Sequence, residues 1–436
     1  MNTLAILFVL PLLIIFSYIF DSIAKKTKFP SVILLMFTGM LIRLGVDFYG
    51  EVELQFLDQL IPVLGTLGLI LIVLEGALEL DIERKKIPLI LKGFLAALVI
   101  LIANIVGLSF IFETVLLLER TTAVVYAIPL SIISSAVAIP SASGLLTKDK
   151  EFVVYESTFS DILGIMAFNY ALTQYQNQAP LIGMQPLFEL GLQIVGVIAI
   201  SIAITYCLFQ LLQQIDQHIK FFLILALLVL VYAFGKYFHL PALVTIFIFG
   251  LFLKNVTALL PQFLQKHLNI EKTHQGLHEF HLLTAESTFL VKTFFFLFFG
   301  FSISFGQFDS IMPLLYGSLI LVVMIGVRYV YFLLTQFNLK PGPLMYMSPR
   351  GLISILLFLQ IKDIDFISKT TLIDERVLLV VILLSMFVMT FGNLKHKSPE
   401  ENEEVDDSTT EEDALTKEPP SPENLLDFPE TNETQH

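Results

Sequence analysis

Tryptophan is absent from these 436 residues, cysteine occurs once, and charged side chains make up only 15% of the chain. Each shortage excludes something. The single Cys207 cannot close an intrachain disulfide and is most simply a packed or lipid-facing residue. Without Trp, an aromatic belt at a membrane surface has to rely on the 13 Tyr and 40 Phe. Few charges, 56% hydrophobic residues and a mean hydropathy of +0.79 exclude an ordinary soluble domain. Several motifs are also missing. A primary pump would need a phosphate-cradling G-x-x-x-x-G-K-S/T loop, a potassium-type channel a T-V-G-Y-G filter, and an intramembrane protease H-E-x-x-H or G-x-S-x-G in a span. No cofactor and no nucleic-acid partner are expected.

What remains is a chain built for a lipid bilayer. Thirteen apolar stretches are long enough to cross about 30 Å of hydrocarbon. They lie near 3–21, 31–46, 60–78, 88–112, 121–147, 152–172, 187–213, 220–238, 240–260, 282–304, 309–337, 342–361 and 376–394. The first lacks a basic leader and a small-residue cleavage site and reads as a retained helix. The formal charge of -13 sits entirely beyond residue 397, where 14 acidic residues face only Lys417. That tail, 398–436, is too polar to bury a core and is expected to be disordered. Loops after odd-numbered spans hold 16 Lys and Arg against 6 in the other loops. By the positive-inside rule the N-terminus faces out and the C-terminus is cytoplasmic, as an odd number of crossings requires.

Among the charged residues of the spans, seven form a set of buried or half-buried charges that a mere anchor would not keep: Glu75, Glu156, Asp161, Glu286, Lys292, Arg328 and Arg350. A charge at membrane depth costs several kcal/mol, roughly 3 on insertion scales, so it is kept for a partner or a task. Asp161 is the most telling, in the middle of the sixth span within ESTFSDILGI. Two spans also carry helix breakers at mid-depth: SSAVAIPSASG around Pro140 in the fifth, and MSPRGLIS around Pro349 and Gly351 in the twelfth. Non-helical backbone survives there only where protein or a watery cavity satisfies it. With span seven as a linker, each break falls in the fifth helix of a six-helix half, the pattern of an inverted-repeat transporter with its site at the midplane. Helical spacing puts Ser157 and Asp161 on one face and turns Glu156 about 140° away. Burial disfavours a charged carboxylate, so a proton and a small hard cation would compete for Asp161.

These motifs resemble the monovalent cation:proton antiporter superfamily, in its sodium/proton exchanger branch that includes the bacterial NhaP-type proteins. ESTFSDILGI is similar to that branch's E-S-x-x-N-D-x-x-G-I on helix six, placing Asp161 on the ion- and proton-carrying aspartate. MSPRGLIS resembles the G-G-L-R-G-A/S element of the broken twelfth helix, placing Arg350 on its arginine. GVRYVYFLL, with Arg328, resembles the A-R-x-x-x-V element of helix eleven, and EGALELD, from Glu75 to Asp81, resembles the end of helix three. Two positions depart from the pattern. Ser160 replaces the asparagine, and Ala138-Ile139-Pro140 replaces T-D-P, so an aspartate of the cation site is an isoleucine here.

The expected fold is thus an all-α polytopic membrane protein of about 13 transmembrane helices, two inverted six-helix repeats with broken helices five and twelve, over residues 1–397. The expected function is exchange of Na+ or Li+, with K+ as an alternative, for protons by alternating access. A transporter of another small solute on the same fold is the rival. The resemblance further implies a homodimer in the cell (inner) membrane, serving pH homeostasis. Asp161 carries the proton or metal cation, with Ser157, Ser160 and the carbonyl at Ala138 as further ligands and Ser134, Ser135, Ser141 and Ser143 as nearby neutral oxygens. Glu156 and Arg350 are expected to form a structural ion pair between helices six and twelve. Arg328, Lys292 and Glu75 are auxiliary. Arg328 would neutralise helix dipoles at the breaks, while Lys292 either snorkels to the interface or takes part in function. Glu75 and Glu286 either meet solvent or cap dipoles. His274, His278 and His281 fall in a loop, as interfacial residues or as a pH sensor or metal ligands.

Overall fold

A computed structural model describes residues 3–27, 29–49, 55–80, 82, 85–181, 184–214, 221–237, 242–255, 270–303, 310–336, 342–362 and 373–395. Among them all regular structure is helical. The helices are α1 Thr3–Thr27, α2 Ser31–Tyr49, α3 Gln55–Glu79, α4 Ile87–Thr114, α5 Arg120–Ser131, α6 Ser135–Ser141 and α7 Thr147–Gln176. They continue as α8 Met184–Gln214, α9 Phe221–Tyr237, α10 Ala242–Lys254, α11 Ile270–Ser302, α12 Met312–Gln336, α13 Leu352–Lys362 and α14 Glu375–Lys395. With α5 and α6 as halves of one crossing, these match the 13 spans read from the sequence. Seven of the segments are long and apolar enough to cross a membrane: α2, α3, α4, the α5–α6 crossing, α11, α12 and α14. The acidic tail lies outside the described residues.

Helix boundaries depart from the sequence reading where polar residues extend a helix past the bilayer. α11 begins at Ile270, so His278 and His281 are on a helix rather than in a loop. His278 is exposed and His281 half-buried.

The helices sort into two packed sets. In one, α11 lies along α2 and α3, and α10 along α3 and α8. In the other, α4 lies along α5 and α7, and α12 along α4 and α14. α3 is the border element, because it also meets α6, α7 and α13. α2 and α11 approach closely enough for their backbones to touch. A Cβ on Gly39 would strike the Leu297 carbonyl oxygen, and one on Gly300 the Met36 carbonyl oxygen. Small residues permit this approach where lipid supplies no hydrophobic drive for helix association. Between α4 and α7 the contacts run in step along the chain. The Lys86 ammonium lies 3.0 Å from the Glu151 carboxylate, and the Phe94 and Phe159 rings meet edge to face at 5.4 Å.

Both interruptions are present, and one is displaced from its expected place. In the fifth crossing the helix opens at Ile132–Ser134, with extended backbone at Ile132 and Ser134, not at Pro140. Pro140 lies near the end of the short α6, where its missing N–H costs one bond and the helix stops one residue later. The β-branched pair Ile132-Ile133 suits extended backbone better than helix. In the twelfth crossing a 3-10 turn, Pro343–Met345, leads through Met347–Gly351 without regular structure into α13. Here the break does sit on Pro349 and Gly351. The two breaks touch: the Ser134 N–H donates to the Pro349 carbonyl at 2.9 Å.

Candidate functional site

Opening a helix at mid-depth frees amides that lipid cannot satisfy, and each must find a partner. Three consecutive amides do so across the fold. Ile133 N–H donates to the Ser160 hydroxyl at 3.0 Å, Ser134 N–H to the Pro349 carbonyl, and Ser135 N–H to Asp161 Oδ2 at 3.3 Å. The Ser135 hydroxyl also donates to Asp161 Oδ2. Asp161 therefore caps the N-terminus of α6 from another helix, a position where the half-helix dipole favours a negative charge. Ser134, the residue that precedes α6, makes no cap bond with its own side chain. Asp161 is 1% exposed, and its other oxygen, Oδ1, has no hydrogen-bonding partner among the described residues.

The opposite dipole end is met by the opposite charge. α5 ends at Ser131, and the fully buried Arg350 reaches its last carbonyls, with Nε donating to Leu130 at 2.6 Å and Nη2 to Ser131 at 3.3 Å. Its Nη1 donates to the Ser348 carbonyl and hydroxyl, both at 2.8 Å, and its backbone N–H to the Ser385 hydroxyl at 3.0 Å. The crossing thus carries an aspartate on one half-helix and an arginine on the other. Each is placed where the peptide dipoles favour it.

The expected Glu156–Arg350 ion pair does not form. Glu156 is paired with Arg328 instead, in a two-pronged contact of 2.6 and 2.8 Å. Arg328 Nε donates to the Leu344 carbonyl at 2.9 Å, and its guanidinium stacks 5.0 Å over Phe332. The planar fork matches a carboxylate in two bonds, and all of Arg328's charge is spent on Glu156. Arg350 is turned to the α5 carbonyls, so it makes no carboxylate contact among the described residues. Arg328 accordingly does not neutralise the half-helix ends. Arg350 does.

Three expected ligands each make a hydrogen bond within the fold, and each oxygen keeps at least one further lone pair. Ser157 donates its hydroxyl to the Val153 carbonyl of its own helix at 2.7 Å. The carbonyl of Ala138 is not freed by the break, since it accepts the Ala142 N–H at 3.0 Å as α6 ends. Ser160 is buried with its oxygen held by the Ile133 amide. Of the nearby serines, Ser135 holds Asp161, Ser134 is buried with an unpartnered hydroxyl, Ser141 is half-buried and Ser143 is exposed. Glu75, half-buried on α3, faces Thr288 and Lys292 of α11. Glu286 is exposed and accepts the Tyr18 hydroxyl at 2.6 Å.

The sequence reading missed some polar atoms altogether. Thr158 on α7, Ser354 on α13 and both side-chain polar atoms of Asn104 on α4 are buried without a hydrogen-bonding partner among the described residues. Periodicity says which face a hydroxyl occupies but not whether it bonds back to its own helix, so no signal in the sequence set these apart.

Two broken helices crossing at a buried carboxylate, with compensating charges on the half-helix ends, define a membrane transporter of small ions. A family model described as the transmembrane sodium/hydrogen exchanger matches residues 12–393. The chain belongs to that family. The fold is similar to a structure of the sodium proton antiporter MjNhaP1 from Methanocaldococcus jannaschii at pH 8, with a TM-score of 0.66 and 19% identity. The alignment covers 90% of this chain and 99% of that one. A second structure of MjNhaP1, determined from an electron-microscopy map, gives a TM-score of 0.63 at 19% identity over 90% of this chain and 95% of that one. No curated protein sequence matches.

Proposed function

We propose that the protein exchanges a monovalent cation for protons across the cell membrane, one for one, with Asp161 as the carrier. The observation that supports this most is the half-satisfied Asp161 carboxylate, one oxygen fixed by Ser135 and the other buried with no partner among the described residues. An oxygen in that state binds either a proton or a hard cation, and binding one displaces the other. Asp161 lies on α7, which packs on the border helix α3, so relative motion of the two helix sets would open it to one side or the other. One-for-one exchange follows from charge counting at the crossing. Glu156 is neutralised by Arg328, Ser160 does not titrate, and a guanidinium is effectively never deprotonated. One exchangeable group remains.

We place the N-terminus outside and the C-terminus in the cytoplasm from the distribution of Lys and Arg, and take the family's homodimer as the assembly. Na+ and Li+ are the proposed substrates. Ile139 favours a second reading, K+ exchange, because it withdraws a carboxylate that would add field strength for the smaller cations. Purified protein in liposomes with an internal pH dye tests both. Pulses of Na+ or Li+ should alkalinise or acidify the lumen according to the gradient. A response to K+ alone would select the second reading, and a response only to an organic anion would refute both.

A further inference from the structure

We infer that Lys85, Lys92 and Lys148, where α4 and α7 begin side by side, bind the phosphate headgroup of an anionic lipid. All three side chains are exposed, and none makes an ion pair among the described residues. Lys86 is the contrast, because its ammonium lies 3.0 Å from the Glu151 carboxylate and that acid is already taken. Lys148 comes three residues before Glu151 on α7, so it is on the face turned towards Lys86 and the start of α4. Lys85 directly precedes Lys86. Asp149 is half-buried and turned about 100° around α7 from Lys148, and Lys150 lies near Glu79 of α3. Three uncompensated positive charges thus surround one satisfied pair.

Lys92 makes the ligand a lipid rather than a soluble anion. It lies six residues beyond Lys86, about 9 Å further along the helix and inside the span that α4 forms. Its neighbours Leu91 and Leu95 are 55% and 45% exposed, and the same open stripe continues through Val99 and Ile102. Among the described residues nothing covers that stripe, so it faces acyl chains. An ammonium set among lipid-facing leucines has to extend along its stem to the headgroup level, where Lys85 and Lys148 already are. A phosphate diester there meets all three ammonium groups while its chains lie along the stripe; a free anion would reach Lys85 and Lys148 and leave Lys92 in hydrocarbon. The headgroup would bridge two helices in close contact, since a Cβ on Gly93 would strike Tyr155 and the Phe94 and Phe159 rings meet edge to face. α7 also carries Asp161, so the lipid steadies the helix set that holds the carboxylate, whichever ion is carried.

The test is thermal unfolding of the full chain in a neutral detergent with added phosphatidylglycerol, phosphatidylcholine, inorganic phosphate or glycerol 3-phosphate. Phosphatidylglycerol should raise the melting temperature of wild type, and the other three should not. Lys85→Gln, Lys92→Gln and Lys148→Gln should each raise the phosphatidylglycerol concentration for half of that shift about fivefold, the scale of one lysine at an anionic surface. Lys92→Arg, which keeps the charge, should stay near wild type. So should Lys236→Gln, an exposed lysine at the end of α9. Native mass spectrometry from the same micelles supplies a second readout: wild type should retain one more phosphatidylglycerol than the Lys85→Gln/Lys92→Gln double variant. Wild-type half-saturation and lipid count in that double variant would overturn the site. An equal shift with inorganic phosphate or glycerol 3-phosphate would overturn the lipid as its ligand, and an equal loss in Lys236→Gln would show unspecific attraction only.

Discussion

Two buried arginines lie near Glu156, and only one of them holds it. Removing Arg328 strands a buried carboxylate, and breaking such a pair costs about 3–5 kcal/mol. Arg328→Ala should therefore lower the melting temperature in detergent sharply, and adding Glu156→Gln should recover part of the loss because the stranded charge is gone. Arg350→Ala also leaves acceptors at Leu130 and Ser131 without donors, but Glu156→Gln should not rescue it. Equal rescue of both arginine variants would place Glu156 between the two. The sequence made these residues visible and left their pairing undecided. A charge within a span announces itself by its cost, whereas which arginine reaches Glu156 depends on the rotation of α12 and on the path of residues 346–351. Local pattern encodes neither. Asp161 was legible for the first reason, and Thr158 was not, because its distinction is a side-chain direction.

The broken crossings behave as one structural unit. Pro349 and Gly351 mark the break of the twelfth crossing directly, while Pro140 marks the end of α6 and the true opening lies at Ile132–Ser134. Proline is the louder signal in a sequence, but the opening is decided by what can take the freed amides. Those partners, Ser160, Pro349 and Asp161, come from other crossings. Element number and order were readable from hydropathy alone, since each span must hide its own backbone from lipid. Helix contact adds a prediction of its own. Gly39→Ala or Gly300→Ala forces a methyl group into a backbone carbonyl and should destabilise by about 1–3 kcal/mol, seen as a lower melting temperature with the cation affinity unchanged. An unchanged melting temperature would mean that α2 and α11 do not touch through these glycines.

Charge accounting over the whole molecule sets the electrical behaviour. At the crossing Glu156 and Arg328 cancel, which leaves Asp161 and Arg350, and in the proposed exchange only Asp161 changes its partner. With the membrane potential clamped by valinomycin, the initial rate of Na+-driven proton flux should not vary with voltage. A clear voltage dependence would show that a second charge moves, and Lys292, which faces Glu75 across the seam between α3 and α11, would be the first residue to examine. Ile139→Asp, restoring a carboxylate near the crossing, should shift preference towards the smaller cations in the same assay. The central claim is that one carboxylate carries both ions, and Asp161→Asn tests it most directly. The amide keeps the volume and can still accept the Ser135 bonds, so the variant should insert and melt near wild type. In dye-loaded liposomes it should give no cation-driven proton flux, whereas a wild-type response would contradict the account.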